Sequence, residues 1–350
     1  MNIGIIGLPQ SGKSILFELL TGVTGAGQKT ETNIGVVHVP DGRLNKLCEL
    51  FPGKKNIPAE IKIIDIGGVK QKTKDVLDAA ALKDTDAFLE VLRKFGDPTV
   101  AHPLGKISPA ADAKNLEMSM IITDLELATS CVERINKEVS KGRKEREREL
   151  EVLILCRSFL EKEKPLREIV LDTDQEKLIR GYKFLSIKPK MLLVNVGEDE
   201  ITSPLPAELI NYARQRQLLI TKSCVKIEFE ISKLTAAEQK DFFEDAKISE
   251  PAREAVIKNC FKTLKQINFF TIGKNEIKAW TVQEGMTALE AAGKIHTDIQ
   301  RGFIKAEVIN FKEFIEFNSR HTARAAGNLR LEGRKYKIID GDIVEFKFNI

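Results

Sequence analysis

The stretch NIGIIGLPQSGKS, residues 2–14, reads as a short apolar strand, a glycine-bounded loop and the first residues of a helix. Within it Gly7, Gly12, Lys13 and Ser14 have the spacing Gly-x-x-x-x-Gly-Lys-Ser. Glycines let a backbone curl until successive N–H groups point inward at phosphate oxygens. The positive end of the following helix adds to the attraction. Lys13 is placed to reach the β and γ phosphates, and the Ser14 hydroxyl to ligate Mg²⁺. The plainer reading is a glycine-rich turn with an incidental lysine. The flanks weigh against it: an apolar strand precedes the loop, and KSILFELLTG follows, with Ile15, Leu16, Leu19 and Leu20 at helical spacing before Gly22.

Further along, IGVVHV, AEIKIID, MLLVNV (191–196) and LLITKSCVKI (218–227) read as strands or contain one. Strands interleaved with helices indicate an α/β domain with a mostly parallel sheet covered on both faces. From about 125 to 185 the texture changes to Glu, Lys, Arg and Leu. Leu127, Cys131, Ile135 and Val139, then Leu150 and Leu153, recur at helical spacing, with a break near Gly142. That pattern predicts an inserted α-helical hairpin. Lys141, Arg143, Lys144 and Arg146 at its turn are a solvated helix face in the plainer reading, and a contact for rRNA phosphates in the sharper one.

After about 268, FFTIG, IKAWTV and GFIKAEVI read as strands, TALEAAGKIHTDI as a helix with Thr287 and Glu290 in capping-box spacing, and YKIIDGDIVEFKFNI as a hairpin around Asp340–Gly341. The expected division is a split domain at 1–125 and 186–267, the helical insertion at 126–185, and a small domain at 268–350. His296 and Trp280 in that last segment are read as fold elements rather than a ligand and a base-stacking platform.

The bulk numbers agree. A chain of 350 residues calls for two or three domains. With 42% hydrophobic and 30% charged residues it has an ordinary globular balance, and a net charge of +4 argues neither for nor against a nucleic-acid partner. The five cysteines are scattered and form no CxxC pair, which points to reduced thiols and no structural zinc. No leader-like segment and no apolar run of membrane-spanning length is present, so a cytoplasmic protein without a membrane partner is expected. Nothing resembles a catalytic triad or a cysteine nucleophile.

Two further motifs bear on chemistry. Asp65 ends a strand and opens Asp-x-x-Gly at 65–68, the arrangement by which GTPases reach Mg²⁺ and sense the γ-phosphate; the plainer reading is a turn starter. GTPases read guanine with Asn-Lys-x-Asp, which this chain lacks. After the strand MLLVNV it has Asn195, Val196, Gly197 and Glu198. The lysine is gone, and a longer acid is displaced from the guanine edge, which lets adenine compete.

These residues resemble the YchF-type, Obg-like ATPases, P-loop proteins of GTPase lineage that prefer ATP. The likeness runs over nearly the whole chain. It includes GLPxxGKS at 7–14, NxGVVxVPDxRLxKL at 33–47, DIxG at 65–68, KP…NVxE at 188–198 and KIE at 226–228, and the C-terminal stretch looks like the family's TGS domain, a ubiquitin-like β-grasp. The resemblance implies a P-loop G domain, a coiled-coil insertion and the TGS module. It implies slow Mg²⁺-dependent hydrolysis of ATP, a ribosome or rRNA partner, and a monomer. By similarity, Gly7 and Gln10, Ser11, Gly12, Lys13, Ser14 and Ile15 cradle the phosphates. Asn195, Val196 and Glu198 lie around the base, and Cys224 and Val225 close over it. Ser14 and Asp65 hold the metal. The family carries a hydrophobic residue where GTPases have the catalytic glutamine after Asp-x-x-Gly, and Val69 fills that place here, so no side chain there can orient the attacking water.

The chain also departs from the family pattern. Gln10, Ser11 and Ile15 differ from the usual GLPNVGKST. The first switch loop is short, with Lys29 where a metal-binding threonine is expected; Thr30 or Thr32 is left to substitute. The second switch, KQKTKDVLDA, contains no glycine and reads more like a helix than a loop that rearranges on γ-phosphate contact. Two functions therefore stand side by side: an ATPase switch linked to translation, with hydrolysis weakened, or a non-hydrolysing or GTP-binding paralogue that acts as a ribosome- or RNA-binding module.

Overall fold

The computed structural model of the chain describes residues 1–23, 32–65, 82–317 and 319–349. Among these, the strands run in chain order β1 (Asn2–Ile6), β2 (Asn33–His38), β3 (Lys55–Ile57), β4 (Glu60–Asp65), β5 (Ala87–Arg93), β6 (Lys190–Asn195), β7 (Leu219–Ser223), β8 (Gln266–Ile272), β9 (Glu276–Gln283), β10 (Phe303–Asn310), β11 (Arg330–Glu332) and β12 (Asp342–Phe348). Four of the helices matter below: α1 (Lys13–Thr21), α2 (Gly42–Leu50), α3 (Pro109–Ser140) and α4 (Glu147–Leu160). The chain divides into two compact units, Met1–Val36 with Lys62–Thr263, and Val37–Ile61 with Leu264–Ile350.

The sheet of the first unit has the order β2-β4-β1-β5-β6-β7. The pairs β1–β4, β1–β5, β5–β6 and β6–β7 are all parallel. Every position of β5 and β6 is buried, as expected of central strands in a sheet covered on both faces. The sequence reading missed β5, because AFLEVLR carries Glu90 and Arg93 inside an apolar run. Glu90 is tolerated because Lys190 of β6 lies 2.8 Å away, and Lys190 also stands 2.8 Å from Glu117 of α3. Arg167 and the Tyr212 hydroxyl complete the cluster on Glu117. A buried charge persists only when it is paired in this way.

α3 is 32 residues long, about 48 Å at 1.5 Å per residue. Its first half covers the sheet through Ala110, Ala113, Leu116 and Met120. Its second half leaves the sheet and packs Ala128, Cys131 and Ile135 against Val152, Leu153 and Cys156 of α4. The helical hairpin is therefore present, but the expected boundary at 126 falls in the middle of one continuous helix. At its turn Arg143 and Arg146 both pair with Glu138, and Arg146 also with Glu149.

The second unit's sheet has the order β11-β10-β12-β8-β9-β3. β8 and β9 form an antiparallel pair, β12 lies parallel to β8, and β10 runs antiparallel to both β12 and β11. With the helix Ala288–Ile295 packed on one face, the five C-terminal strands have the connectivity of a β-grasp. The capping box of Thr287 and Glu290 is formed. Two features lie beyond the sequence reading. First, residues 37–61 belong to this unit: β3 adds a parallel strand to β9, and Arg43 of α2 reaches Asp340 at 2.7 Å. Second, the hairpin expected around Asp340–Gly341 is not formed. The arm before β12 makes one isolated bridge, Thr287 to Lys337. Main-chain bonds from the Ala288 N–H to the Tyr336 carbonyl and from the Ile338 N–H to the Met286 carbonyl hold it, with Asp342 accepting from the Ile339 N–H and the Tyr336 hydroxyl.

His296 caps a short helix by accepting the Asp298 N–H, and Trp280 donates to Thr271 while packing against the core of the unit. Among the described residues no helix is long and apolar enough to cross a membrane, and no group of three His, Cys, Asp or Glu side chains could hold a metal. The five cysteines are free thiols.

Candidate functional site

The loop between β1 and α1 is shaped by close approaches. A Cβ on Gly7 would lie 2.4 Å from the Val91 carbonyl oxygen of β5, and one on Gly12 would lie 2.3 Å from the Asn195 side-chain nitrogen. Both positions also have positive φ, 147° and 98°. Only glycine meets both demands. Gly12 caps α1 without a side-chain hydrogen bond, so the first helical N–H groups keep their capacity to bind an anion.

Lys13 folds back over this loop and donates to the carbonyl oxygens of Gly7, at 3.0 Å, and Leu8, at 2.8 Å. Burial lowers its ammonium to about 8, with Asp65 acting in the opposite direction. Asp65 ends β4 beside Ile5 of β1 and is 1% exposed. Among the described residues neither of its carboxylate oxygens has a hydrogen bond of good geometry. Burial raises its carboxyl above the ordinary range; Lys13 and the Ser14 hydroxyl, the polar groups beside it, pull the other way. A buried acid next to a hydroxyl is a hard-oxygen donor set of the kind that suits Mg²⁺.

Asn195, at the end of β6, joins the loop to the other end of the site. Its side-chain N–H donates to the Ser11 carbonyl at 3.0 Å, and its side-chain oxygen accepts the Val225 N–H at 3.2 Å. Its main-chain carbonyl accepts the N–H groups of Lys94 and Phe95. These hydrogen bonds position three other segments. Val196, Cys224 and Val225 are buried around it, while Glu198 is exposed on a one-turn helix, Glu198–Glu200. Burial raises the Cys224 thiol. Glu228 of the KIE motif is buried, accepts from the Ser223 hydroxyl at 2.6 Å and the Ala252 N–H at 2.5 Å, and so fixes the turn after β7. A cavity of about 100 Å³ opens here, lined by Val196, Ser223, Cys224, Glu228 and Lys247 among others.

The structure thus brings together Gly7, Gln10, Ser11, Gly12, Lys13, Ser14 and Asp65 at one end, and Asn195, Val196, Glu198, Cys224 and Val225 at the other. Ile15 is exposed on the first turn of α1. Thr32 is exposed just before β2. Thr30, Lys29, Val69 and the second switch lie outside the described residues. Sequence reasoning missed the loop after β5. Phe95 stands 3.8 Å from where a Cβ on Gly197 would be, and the Arg93 guanidinium lies 4.5 Å from the centre of its ring. Arg93 also holds that loop through the carbonyls of Phe95 and Val100. Loops at the carboxyl ends of parallel strands build such sites, so recognising β5 as a strand is the signal that finds Phe95.

Comparison with known proteins gives a consistent outcome. A family model named YchF-GTPase_C and described as "Protein of unknown function (DUF933)" matches residues 266–349. A "Ribosome-binding ATPase YchF" from Haemophilus ducreyi is 37% identical over 358 residues, covering 99% of both chains. One from Bacillus subtilis is 34% identical over 364 residues, covering 100% of both. Among solved structures, the Schizosaccharomyces pombe YchF GTPase superposes with a TM-score of 0.87 at 24% identity, over 99% of this chain and 97% of that one.

Proposed function

The chain belongs to the YchF family, and from that premise we propose that it binds a purine nucleoside triphosphate with Mg²⁺, prefers ATP to GTP, hydrolyses it slowly, and acts on the ribosome as a monomer in the cytoplasm. The observation that carries the reading is the Asn195 junction. One side chain ties the phosphate loop, at Ser11, to the segment that closes over the base, at Val225. The two ends of a nucleotide site are thereby held at fixed separation before any ligand arrives.

In this reading the backbone N–H groups of residues 10–15 face the phosphates. Lys13 leaves the Gly7 and Leu8 carbonyls and takes up the β and γ phosphates. Ser14 and Asp65 hold Mg²⁺, which neutralises phosphate charge when bound. The Asp65 carboxylate then gains the partner it lacks. Phe95 and Val196 offer apolar surface to the base, and Glu198 stands at its edge without the lysine that accompanies guanine recognition. Val69, with no hydrogen-bonding group, supports slow hydrolysis. The relatives named ribosome-binding ATPases support the ribosomal partner.

The test is a titration of fluorescent ATP and GTP with and without Mg²⁺, followed by product analysis on ribosomes and off them. ATP is expected to bind more tightly than GTP. Changing Gly197→Lys together with Glu198→Asp is expected to shift the ratio towards GTP. An unchanged ratio removes the argument for base selection.

A further inference from the structure

The base end of the site is assembled from two loops, one after β5 and one after β6. The register of the two strands sets Arg93 beside Asn195. From there the loop after β5 turns across the end of β6. The N–H groups of Lys94, at 2.8 Å, and Phe95, at 3.2 Å, both donate to the Asn195 carbonyl. Phe95 is half-buried next to Gly197, and the Arg93 guanidinium lies 4.5 Å from the centre of its ring. A second tie joins side chains. The Lys94 ammonium pairs with the carboxylate of Glu200, 106 residues further along the chain. Both partners are half-buried, with side chains 17% and 27% exposed. Glu200 ends the one-turn helix Glu198–Glu200, whose capping residue, Gly197, offers no side-chain bond. A helix of three residues has too few hydrogen bonds of its own to be rigid. Lys94 thus takes Glu200 and holds the turn in which Glu198 stands exposed.

We propose that Lys94 is a positioning residue for base selection: by pairing with Glu200 it fixes the turn that carries Glu198 against the loop that carries Phe95. The spacing of Phe95 from Glu198 is then set before a nucleotide arrives. Two loops already held in place need no ordering on binding, so the base contacts form without that cost. A fixed pocket also discriminates more sharply than one that re-packs around an ill-fitting purine edge. Lys94 itself touches neither base nor phosphate; it acts through Phe95 and Glu198. The inference rests on the reading that the base lies at Asn195, Val196 and Glu198, and deepens it. Selectivity comes in part from the loop after β5, not from the turn after β6 alone.

The full-length protein and its Lys94→Met, Glu200→Gln and doubly changed variants test it. Each is titrated in Mg²⁺ with ATP, GTP and inorganic tripolyphosphate, and its melting temperature is recorded. Methionine keeps most of the lysine stem and glutamine the shape of glutamate, so all three variants are expected to fold. Each single change is expected to lower ATP affinity about fivefold, the upper range for a partly exposed ion pair, and to leave tripolyphosphate affinity within about twofold. The ATP-to-GTP ratio is expected to move towards one. The double variant is expected to lose no more than either single one, because the same interaction is already gone. Unchanged ATP affinity in the single variants makes the pair a surface contact and overturns the proposal. Equal losses for ATP and tripolyphosphate overturn it too, as do independent effects in the double variant. If the parent binds ATP no more tightly than tripolyphosphate, the reading of the base site fails, and this inference with it. If the parent prefers GTP, only the base choice fails, and the ratio of nucleotide to tripolyphosphate affinity in the variants still decides the role of Lys94.

Discussion

Asp65 and Asp124 are both about 1% exposed, both lie in the first unit, and burial raises both carboxyls above the ordinary range. Asp124, on α3, accepts the N–H groups of Leu185, at 2.8 Å, and Ser186, at 2.6 Å. Asp65, at the end of β4, accepts no hydrogen bond of good geometry among the described residues. An unpaired buried carboxylate costs free energy. The fold satisfies one such group with two main-chain N–H donors and sets the other beside a lysine and a hydroxyl. Asp124 joins a long helix to the chain leading into β6. Asp65 lies beside Lys13 and Ser14, which both favour its ionised form.

The contrast can be broken at several points. The largest effect is expected where a buried cation is removed. Lys190→Met leaves Glu90 without its cation and Glu117 with only Arg167 and Tyr212, and urea unfolding should show a loss of about 3–5 kcal/mol. Adding Glu90→Leu to that variant should recover most of the loss, since an apolar pair of similar volume tolerates the site. Asp124→Ala strands two buried N–H groups and is expected to cost about 3 kcal/mol, with nucleotide affinity unchanged. A loss of nucleotide affinity in that variant would erase the distinction between the two acids.

A smaller effect concerns pH. Burial opposes ionisation of Glu117, but Lys190 and Arg167 outweigh it and hold the carboxyl at about 2, against an ordinary 4.5. Between those values the unfolded chain binds more protons than the folded one, so this stabilisation is complete above pH 4.5 and is lost as pH falls towards 2. Glu117→Gln is expected to flatten the acid limb of the stability profile by about 2 kcal/mol relative to the parent. An unchanged limb would show that the ion pairs around Lys190 do not stabilise the carboxylate.

The same contrast explains what the sequence disclosed. Gly7, Gly12, Lys13 and Ser14 were legible because the chemistry of the cradle is local: its glycines, its lysine and its helix lie within eight residues. The β-grasp was legible because its strands alternate and its helix starts with its own capping box. β5 was not, since Glu90 and Arg93 look foreign to a buried strand until Lys190 and the carbonyls of the following loop are seen as their partners. Residues 37–61 were assigned with the nucleotide domain for a similar reason. The pairing of β3 with β9 and of Arg43 with Asp340 is remote in the chain and leaves no periodic trace. The start of α3 at Pro109 was hidden because its first half faces a sheet and its second half another helix, so the apolar stripe changes direction within one element. Phe95 followed β5 out of sight.

The central proposal is that Asp65, with Ser14, holds the metal of a bound nucleotide. The direct test is Asp65→Asn, with ATP affinity measured at saturating and at zero Mg²⁺ and thermal unfolding recorded on the same nucleotide-free sample. The account predicts that the Mg²⁺-dependent part of the affinity falls about 100-fold, while the melting temperature is equal to or above that of the parent because burial disfavours the Asp65 carboxylate more than Lys13 and Ser14 favour it. A melting temperature several degrees lower, with Mg²⁺-dependent ATP binding intact, would make Asp65 a structural acid like Asp124 and contradict the account.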